Sequence, residues 1–201
     1  SFYFYQIDLN NFQNTNKILV EIFSRFKNIN TFILNAGIYI PENFQNFKFI
    51  NAHKTFNVNV LSIYLIIEKI KSFFELTNSH TIAIISSVAG YRGLPRSILY
   101  GPSKSALINL AEALKIDLPK FNIKLINPGF VETPATSINK FKMPFLISAE
   151  KAAKIIFSKI YQNGFEISFP FPFNILMKFG RILPYRLYFK ITKRISNKDE
   201  K

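Results

Sequence analysis

Apolar positions along this chain fall into two alternating spacings. Short β-branched runs bounded by polar residues, at 31–34 and 81–87, read as buried strands. Residues 121–126 and 164–169 repeat that pattern, and residues 1–7, aromatic and β-rich, read as a further strand arriving at Asp8. Between them the period lengthens. Residues 11–27 place Ile18, Leu19, Ile22, Phe23 and Phe26 at helical spacing, and residues 51–74 make a long helix with a broad apolar face. Residues 100–119 continue the pattern, with Pro102 tolerable in the first turn. Another helix starts at Ser148, an N-cap with Glu150 in the first turn. Residues 88–99, with Gly90, Gly93 and Pro95, form a loop, as do the residues from Pro128 to Ile147. Strands alternating with helices predict an α/β fold built on a doubly wound parallel sheet. One stretch breaks its own pattern. Asn57 and Asn59 sit within the long helix, where asparagine is a poor former. Their amides are solvent-facing or capped, or else part of a hydrogen-bond relay.

Composition narrows the classes. A chain of 201 residues with 48% apolar residues is enough for one domain with a full core. There is no cysteine, so no disulfide framework and no thiolate metal site. His53 and His80 lie far apart in sequence and read as surface residues, so no metal centre is expected. The net charge of +14 favours attraction to phosphates in nucleotides, nucleic acids or anionic lipids. It also follows from a usage rich in Lys, Asn, Ile and Phe, which AT-rich codons encode. No recognisable module supports specific nucleic-acid binding. The longest apolar runs, such as 60–67, are too short to span a bilayer, and no secretory leader is visible. A cytoplasmic location is the simplest expectation. From Pro170 onward the character changes. Phe171, Phe173, Leu176, Phe179, Leu187 and Phe189 alternate with Lys178, Arg181, Arg186, Lys190, Lys193 and Arg194. This tail, residues 170–201, reads either as an amphipathic helix at a membrane interface or as a lid packed on the domain. The second is favoured, because a helix with one apolar face most often packs on its own domain.

The candidate chemistry lies at 84–104. The strand at 81–87 ends in Ser86 and Ser87, which puts a hydroxyl at its C-terminal edge. Tyr100 and Lys104 follow, one helical turn apart on a shared face. An ammonium beside a phenol lowers the phenol's pKa and tunes it for proton exchange. Small residues at Asn35-Ala36-Gly37 let the backbone approach a ligand closely.

Taken together, Leu34-Asn35-Ala36-Gly37, Asn59, Ser87, Tyr100-x-x-x-Lys104 and Pro128-Gly129 resemble the short-chain dehydrogenase/reductase family over residues 1–169. A lone Tyr-x-x-x-Lys is weak evidence; the ordered set is strong. The resemblance implies a Rossmann-like domain and an NAD(P)-dependent oxidoreductase acting on a carbonyl or alcohol. Tyr100 would exchange the proton, Ser87 would bond the substrate oxygen, and Lys104 would tune Tyr100 and hold the nicotinamide ribose. Asn59 would anchor a water linking Lys104 to solvent. Asp8, in Asp8-Leu9, would contact the adenine. Asn35, Ala36 and Gly37 would flank the adenosine ribose, and Pro128, Gly129, Val131 and Thr133 the nicotinamide. Residues 89–95 and 134–145 would line the substrate pocket, offering Tyr91, Leu94, Phe141 and Phe145, with Leu146 beside them. These suit an apolar small molecule. Family members pair through helices equivalent to 51–74 and 100–119, which implies a homo-oligomer.

The family's opening glycine-rich turn, which holds the pyrophosphate at a helix N-terminus, is absent from these 201 residues. So is the second strand, whose end normally selects NAD or NADP. The missing unit amounts to roughly 50 residues. In the order 3-2-1-4-5-6 its two strands separate the third from the fourth. Residues 1–7 would then stand roughly 14 Å from residues 31–34. Either the chain is a fragment of a longer protein, or its first strand pairs directly with 31–34. A non-catalytic homologue acting as a structural or oligomer partner is the alternative reading.

Overall fold

Alternate side chains of the two central strands, residues 81–85 and 122–128, enter two different cores, and this alternation sets the architecture. The computed structural model describes residues 2–75, 79–139 and 141–196. Its elements are α1 (Phe12–Arg25), β1 (Thr31–Leu34), α2 (Phe49–Phe56), a π turn (Asn57–Leu61), α3 (Ser62–Phe73), β2 (Thr81–Ile85) and a 3-10 turn (Val88–Gly90). Then come α4 (Tyr100–Asp117), β3 (Asn122–Pro128), β4 (Val131–Glu132), β5 (Ile147–Ser148), α5 (Ala149–Lys159), β6 (Glu166–Phe169), α6 (Phe173–Ile182) and α7 (Tyr185–Ser196). β1, β2, β3 and β6 pair in that order, all parallel, with Thr31 opposite Thr81, Thr81 opposite Asn122 and Leu125 opposite Glu166.

Phe32, Leu34, Ile82, Ile84, Ile123 and Leu125 share one core with Leu19 and Phe23 of α1, Ile63 and Ile70 of α3, and Leu107, Ile108 and Ala111 of α4. Ala83, Ile85, Ile126, Ile167 and Phe169 point the other way, onto Ala152 of α5 and Ile160. Helices therefore cover both faces, and the sheet is doubly wound as expected. Each buried Ile, Leu or Phe contributes about 1.5–3 kcal/mol over its exposed state, so β2, buried along its whole length, anchors the fold. The helix starts follow their caps. Asn11 Oδ1 accepts from Asn14 N at 3.0 Å, and Ser148 Oγ accepts from Lys151 N at 3.2 Å.

Four expectations change. Residues 2–7 form no strand, neither paired with β1 nor elsewhere; no described strand lies beside them to take their hydrogen bonds. The long helix is interrupted by the π turn, which holds both Asn57 and Asn59. Both are buried rather than solvent-facing. Asn57 Nδ2 donates to Asn10 Oδ1 at 3.0 Å and approaches His53 Nδ1 at 3.2 Å. His80 is not a surface residue. It is buried among Phe32, Phe74 and Phe121, with Nδ1 2.9 Å from the carbonyl of Ile29. The loop after β3 also contains the short β4–β5 ladder, Val131 opposite Ile147.

The tail forms two helices, and part of it packs on the domain. Phe173 is buried and stacks on Phe130 with ring centroids 5.5 Å apart. Arg92 fastens the pair. Its guanidinium lies 4.1 Å from the Tyr188 ring centroid and donates to the carbonyls of Gly180 at 2.7 Å and Leu183 at 2.5 Å, capping the end of α6. Among the described residues, no helix is long and apolar enough to cross a membrane.

Candidate functional site

Because the four strands run parallel, their C-terminal ends share one edge, and the segments following them meet there. This is the crevice where open α/β sheets bind ligands. Asn35-Ala36-Gly37 follows β1, Ser86-Ser87 follows β2, and Pro128-Gly129 closes β3. Ser86 and Ser87 divide the work. Ser86 N donates to the carbonyl of Ile126 at 2.8 Å, and its hydroxyl donates to the carbonyl of Lys104 at 2.7 Å, tying α4 to the strand end. Gly90 lets the 3-10 turn lie against α4. A Cβ there would fall 2.7 Å from the Lys104 carbonyl carbon, which backbone cannot yield.

These ties bring the three sequence-selected groups together. The Tyr100 phenol lies near enough to the Ser87 hydroxyl to feel its influence. The Ser87 hydroxyl accepts from Ala89 N at 3.1 Å and approaches the carbonyl of Pro128 at 3.4 Å. Lys104 Nζ lies 5.6 Å from the Tyr100 ring centroid and donates to the carbonyl of Ile85 at 2.9 Å. The electrostatics differ from the expectation. Burial pushes the Tyr100 phenol up to about 12, the nearby Ser87 hydroxyl opposes this, and Tyr39 adds to it. The Lys104 ammonium faces the ring and the Ile85 carbonyl. Burial in turn brings Lys104 down to about 8.

Asn59, fully buried, holds the turn after β1. Its Oδ1 accepts from Ile38 N at 2.7 Å, and its Nδ2 donates to the Ile38 carbonyl and to Ser103 Oγ, both at 3.0 Å. Ser103 Oγ donates in turn to the carbonyl of Tyr100 at 2.8 Å. The side chain therefore connects the β1 turn to α4.

Asn35, Ala36 and Gly37 are exposed and form an open floor. A Cβ on Gly37 would lie 3.4 Å from Asn59 Oδ1 and 3.5 Å from Lys104 Nζ. The absent side chain leaves a cradle between an amide oxygen and an amine, and these donors and acceptors fit the hydroxyls of a nucleotide ribose. Asp8 is placed differently. It is exposed, and its Oδ1 accepts from Asn10 N at 3.0 Å in the turn before α1, beside the half-buried Leu9. Val131 lies in β4. Thr133 bonds Thr136, with Thr133 N donating to its hydroxyl at 3.0 Å. Gly129 packs against α6, where a Cβ would meet the Phe173 ring at 2.8 Å.

Of the expected pocket residues, Tyr91 turns inward. It is buried, and its hydroxyl donates to Glu166, so it does not line a pocket. Phe141 and Phe145 join an aromatic group with Phe130 and Phe173, at centroid distances of 5.9 Å (Phe130–Phe141) and 6.1 Å (Phe145–Phe173). Leu94 is half-buried and Leu146 exposed.

Two features carried no sequence signal. Tyr39 lies edge-on to Tyr100 with centroids 5.0 Å apart, and its hydroxyl donates to Asn139 Oδ1 at 3.0 Å. It thereby joins the β1 turn to the loop after β3. Glu166 takes Tyr91 and Asn127 Nδ2 (2.6 Å) on one oxygen and Lys178 Nζ (2.6 Å) on the other. Burial raises its pKa, but these three donors outweigh burial and hold it below the usual carboxylate range.

Residues 1–142 match the family model described as short chain dehydrogenase. The chain is 27% identical over 166 residues to an uncharacterized oxidoreductase of Myxococcus xanthus, covering 81% of this chain and 65% of that protein. It is 28% identical over 193 residues to human 17-beta-hydroxysteroid dehydrogenase 13, covering 90% of this chain and 62% of that protein. The chain thus spans a little under two thirds of these relatives' length. Among solved structures, ElxO with NADP bound superimposes with a TM-score of 0.68 at 24% identity, covering 83% of this chain and 75% of that one. A short-chain dehydrogenase from Streptomyces avermitilis gives 0.74 at 14% identity, covering 96% and 79%. With the family model matched over more than half its length and the same parallel sheet beneath the matched residues, this chain belongs to the short-chain dehydrogenase family.

Proposed function

We propose that this chain carries the catalytic and nicotinamide-side portion of an NAD(P)-dependent oxidoreductase that interconverts a carbonyl and an alcohol on an apolar small molecule. The carrying observation is the Tyr100 phenol beside the Ser87 hydroxyl, with Lys104 Nζ 5.6 Å from the centroid of the same ring. The nicotinamide, when bound, supplies the hydride chemistry. In the reductive direction Tyr100 gives its phenolic proton to the substrate oxygen, and in the oxidative direction it takes that proton back. Ser87 donates a hydrogen bond to the same oxygen and steadies its developing charge. Lys104, beside the Gly37 cradle, holds ribose hydroxyls, and Asn59 fixes the Ile38 turn that forms the cradle's wall. The aromatic group of Phe130, Phe141, Phe145 and Phe173 supports an apolar substrate. Exposed Leu61, Tyr64 and Ile116 on the outer faces of the long helices support a homo-oligomer. A cytoplasmic setting fits the same reading.

The test compares this chain with one extended upstream by the family's glycine-rich unit. The extended chain is expected to bind NADPH or NADH by fluorescence titration and to oxidise it in the presence of an apolar ketone. Tyr100→Phe in that chain is expected to lose about 10²–10⁴-fold in turnover while keeping cofactor affinity. Failure of the extended chain to bind either nucleotide overturns the enzyme reading.

A second reading, a non-catalytic structural or oligomer partner, is favoured by the open edge strand β1. Its Ile33 side chain is 54% exposed. That reading is supported if the extended chain binds no nucleotide yet assembles with a second subunit.

A further inference from the structure

We infer that the outer surface of the α6–α7 pair docks on an anionic lipid bilayer, lying in the interface without crossing it. Residues 167–198 carry seven Lys and Arg and no Asp or Glu. At 3.6 residues per turn, Arg186, Lys190, Lys193 and Arg194 of α7 fall within an arc of about 100°. Tyr185, Leu187, Tyr188, Phe189 and Ile191 occupy the rest of the circumference. Of these apolar residues only Tyr188 is buried; Tyr185 is 72% exposed and Phe189 53% exposed. Burial against the domain therefore accounts for one residue of a broad apolar face.

α6 repeats the arrangement. Its inner side is used by Phe173, Asn174 and Met177. Ile175, Phe179 and Ile182 lie within about 60° of one another on the outer side, and Ile182 is 74% exposed. The two cations of α6 face protein: Lys178 meets Glu166 at 2.6 Å and Arg181 meets Glu112 at 3.8 Å. Among the described residues, none of the four α7 cations meets a carboxylate.

Exposed aromatic and aliphatic side chains beside a cationic stripe that meets no carboxylate among the described residues, on a helix held at one edge, match an interface with an anionic surface. A purely apolar protein partner would leave the four charges unused. Arg92 keeps the pair fixed to the domain through Tyr188, Gly180 and Leu183, so the surface is presented ready-made.

Sedimentation of the full chain with phosphatidylcholine vesicles, with and without one third phosphatidylserine, is the test. Binding is expected with the anionic vesicles, weakening in 0.5 M salt. Replacing Arg186, Lys190, Lys193 and Arg194 together by Ser is expected to weaken it by about a hundredfold or more. Ile175→Ser with Phe179→Ser and Ile182→Ser is expected to abolish retention on the same vesicles. All seven positions are exposed, so both variants should melt as the parent does. No binding, equal binding to neutral and anionic vesicles, or binding unchanged in both variants overturns the proposal. A concentration-dependent dimer that the apolar variant dissociates, without vesicle binding, assigns the surface to a second copy and also overturns it.

Discussion

The two ionisable groups at the site are shifted in opposite directions by the same cause, and that has a measurable result. Lys104 falls to about 8 when folded, so between pH 8 and its ordinary value of 10.5 the unfolded chain holds the proton that the folded chain has lost. Stability therefore rises with pH across that window, by up to about 3 kcal/mol from this group. Tyr100, raised to about 12 from 10.0, acts in reverse. Its contribution is complete below pH 10 and is lost as pH climbs toward 12. Urea unfolding at pH 7, 8, 9 and 10 should show the rise, and Lys104→Met should flatten it; an unchanged slope in the variant removes Lys104 as its source. A second prediction concerns Gly90. Gly90→Ala is expected to cost about 1–3 kcal/mol, because its methyl would meet the Lys104 backbone. Gly93→Ala, with nothing within 4 Å, should be near neutral by the same measurement. Ser87, Tyr100 and Lys104 were legible from spacing because their meeting needs only a strand end and one helical turn. Tyr39 and Asn139 were not, since their contact joins positions 100 residues apart in sequence. The phenol's pKa was misjudged because spacing shows a neighbouring charge but not the burial that outweighs it.

Among the elements, β6 does more than complete the sheet. Glu166 at its start collects the 3-10 turn segment through Tyr91, the end of β3 through Asn127, and α6 through Lys178. Glu166→Ala is expected to cost more than about 2 kcal/mol, because it leaves a buried phenol and amide without an acceptor; equilibrium urea titration measures this. Its carboxyl is held below the ordinary range, so its contribution is present above the unfolded pKa and is lost as pH falls through the folded value. Glu166→Gln should accordingly lose the acid-side part of the stability profile while retaining most of the tyrosine contact. Elements with clear periodicity were readable: β1 agrees residue for residue, and α1 and α4 lie within the predicted spans. The β4–β5 ladder, two residues a side, is too short to carry a period. The π turn could not be read, because apolar spacing does not distinguish it from α, although the two asparagines marked the place. Tyr91 was placed in the pocket by its loop position, whereas its hydroxyl needed the buried acceptor that Glu166 supplies.

At the scale of the whole molecule, the two faces of the sheet are unequally covered. α1, α3 and α4 pack over one face, whereas the second core reaches only from β2 to β6. At β1 the consequence is visible within two adjacent residues: Phe32 is 7% exposed and Ile33 54%. Residues 2–7, read from composition as a strand, were misread for the same reason, since β-propensity reports fit to a half-buried pleated surface and no such surface adjoins them here. Period-two alternation then predicts opposite outcomes one position apart. In this chain Phe32→Ala should cost about 3–5 kcal/mol, because its ring packs edge-on against Phe23 and Phe74. Ile33→Ser should cost within about 1 kcal/mol, because half of its side chain already meets water. In a chain extended upstream by the family's strand–helix–strand unit, Ile33 becomes a core position, and the same substitution should cost several times more. Urea unfolding of the two parent chains and the three variants measures both differences. Equal costs for Ile33→Ser with and without the extension would mean that the added strands pack elsewhere and that β1 is a true edge.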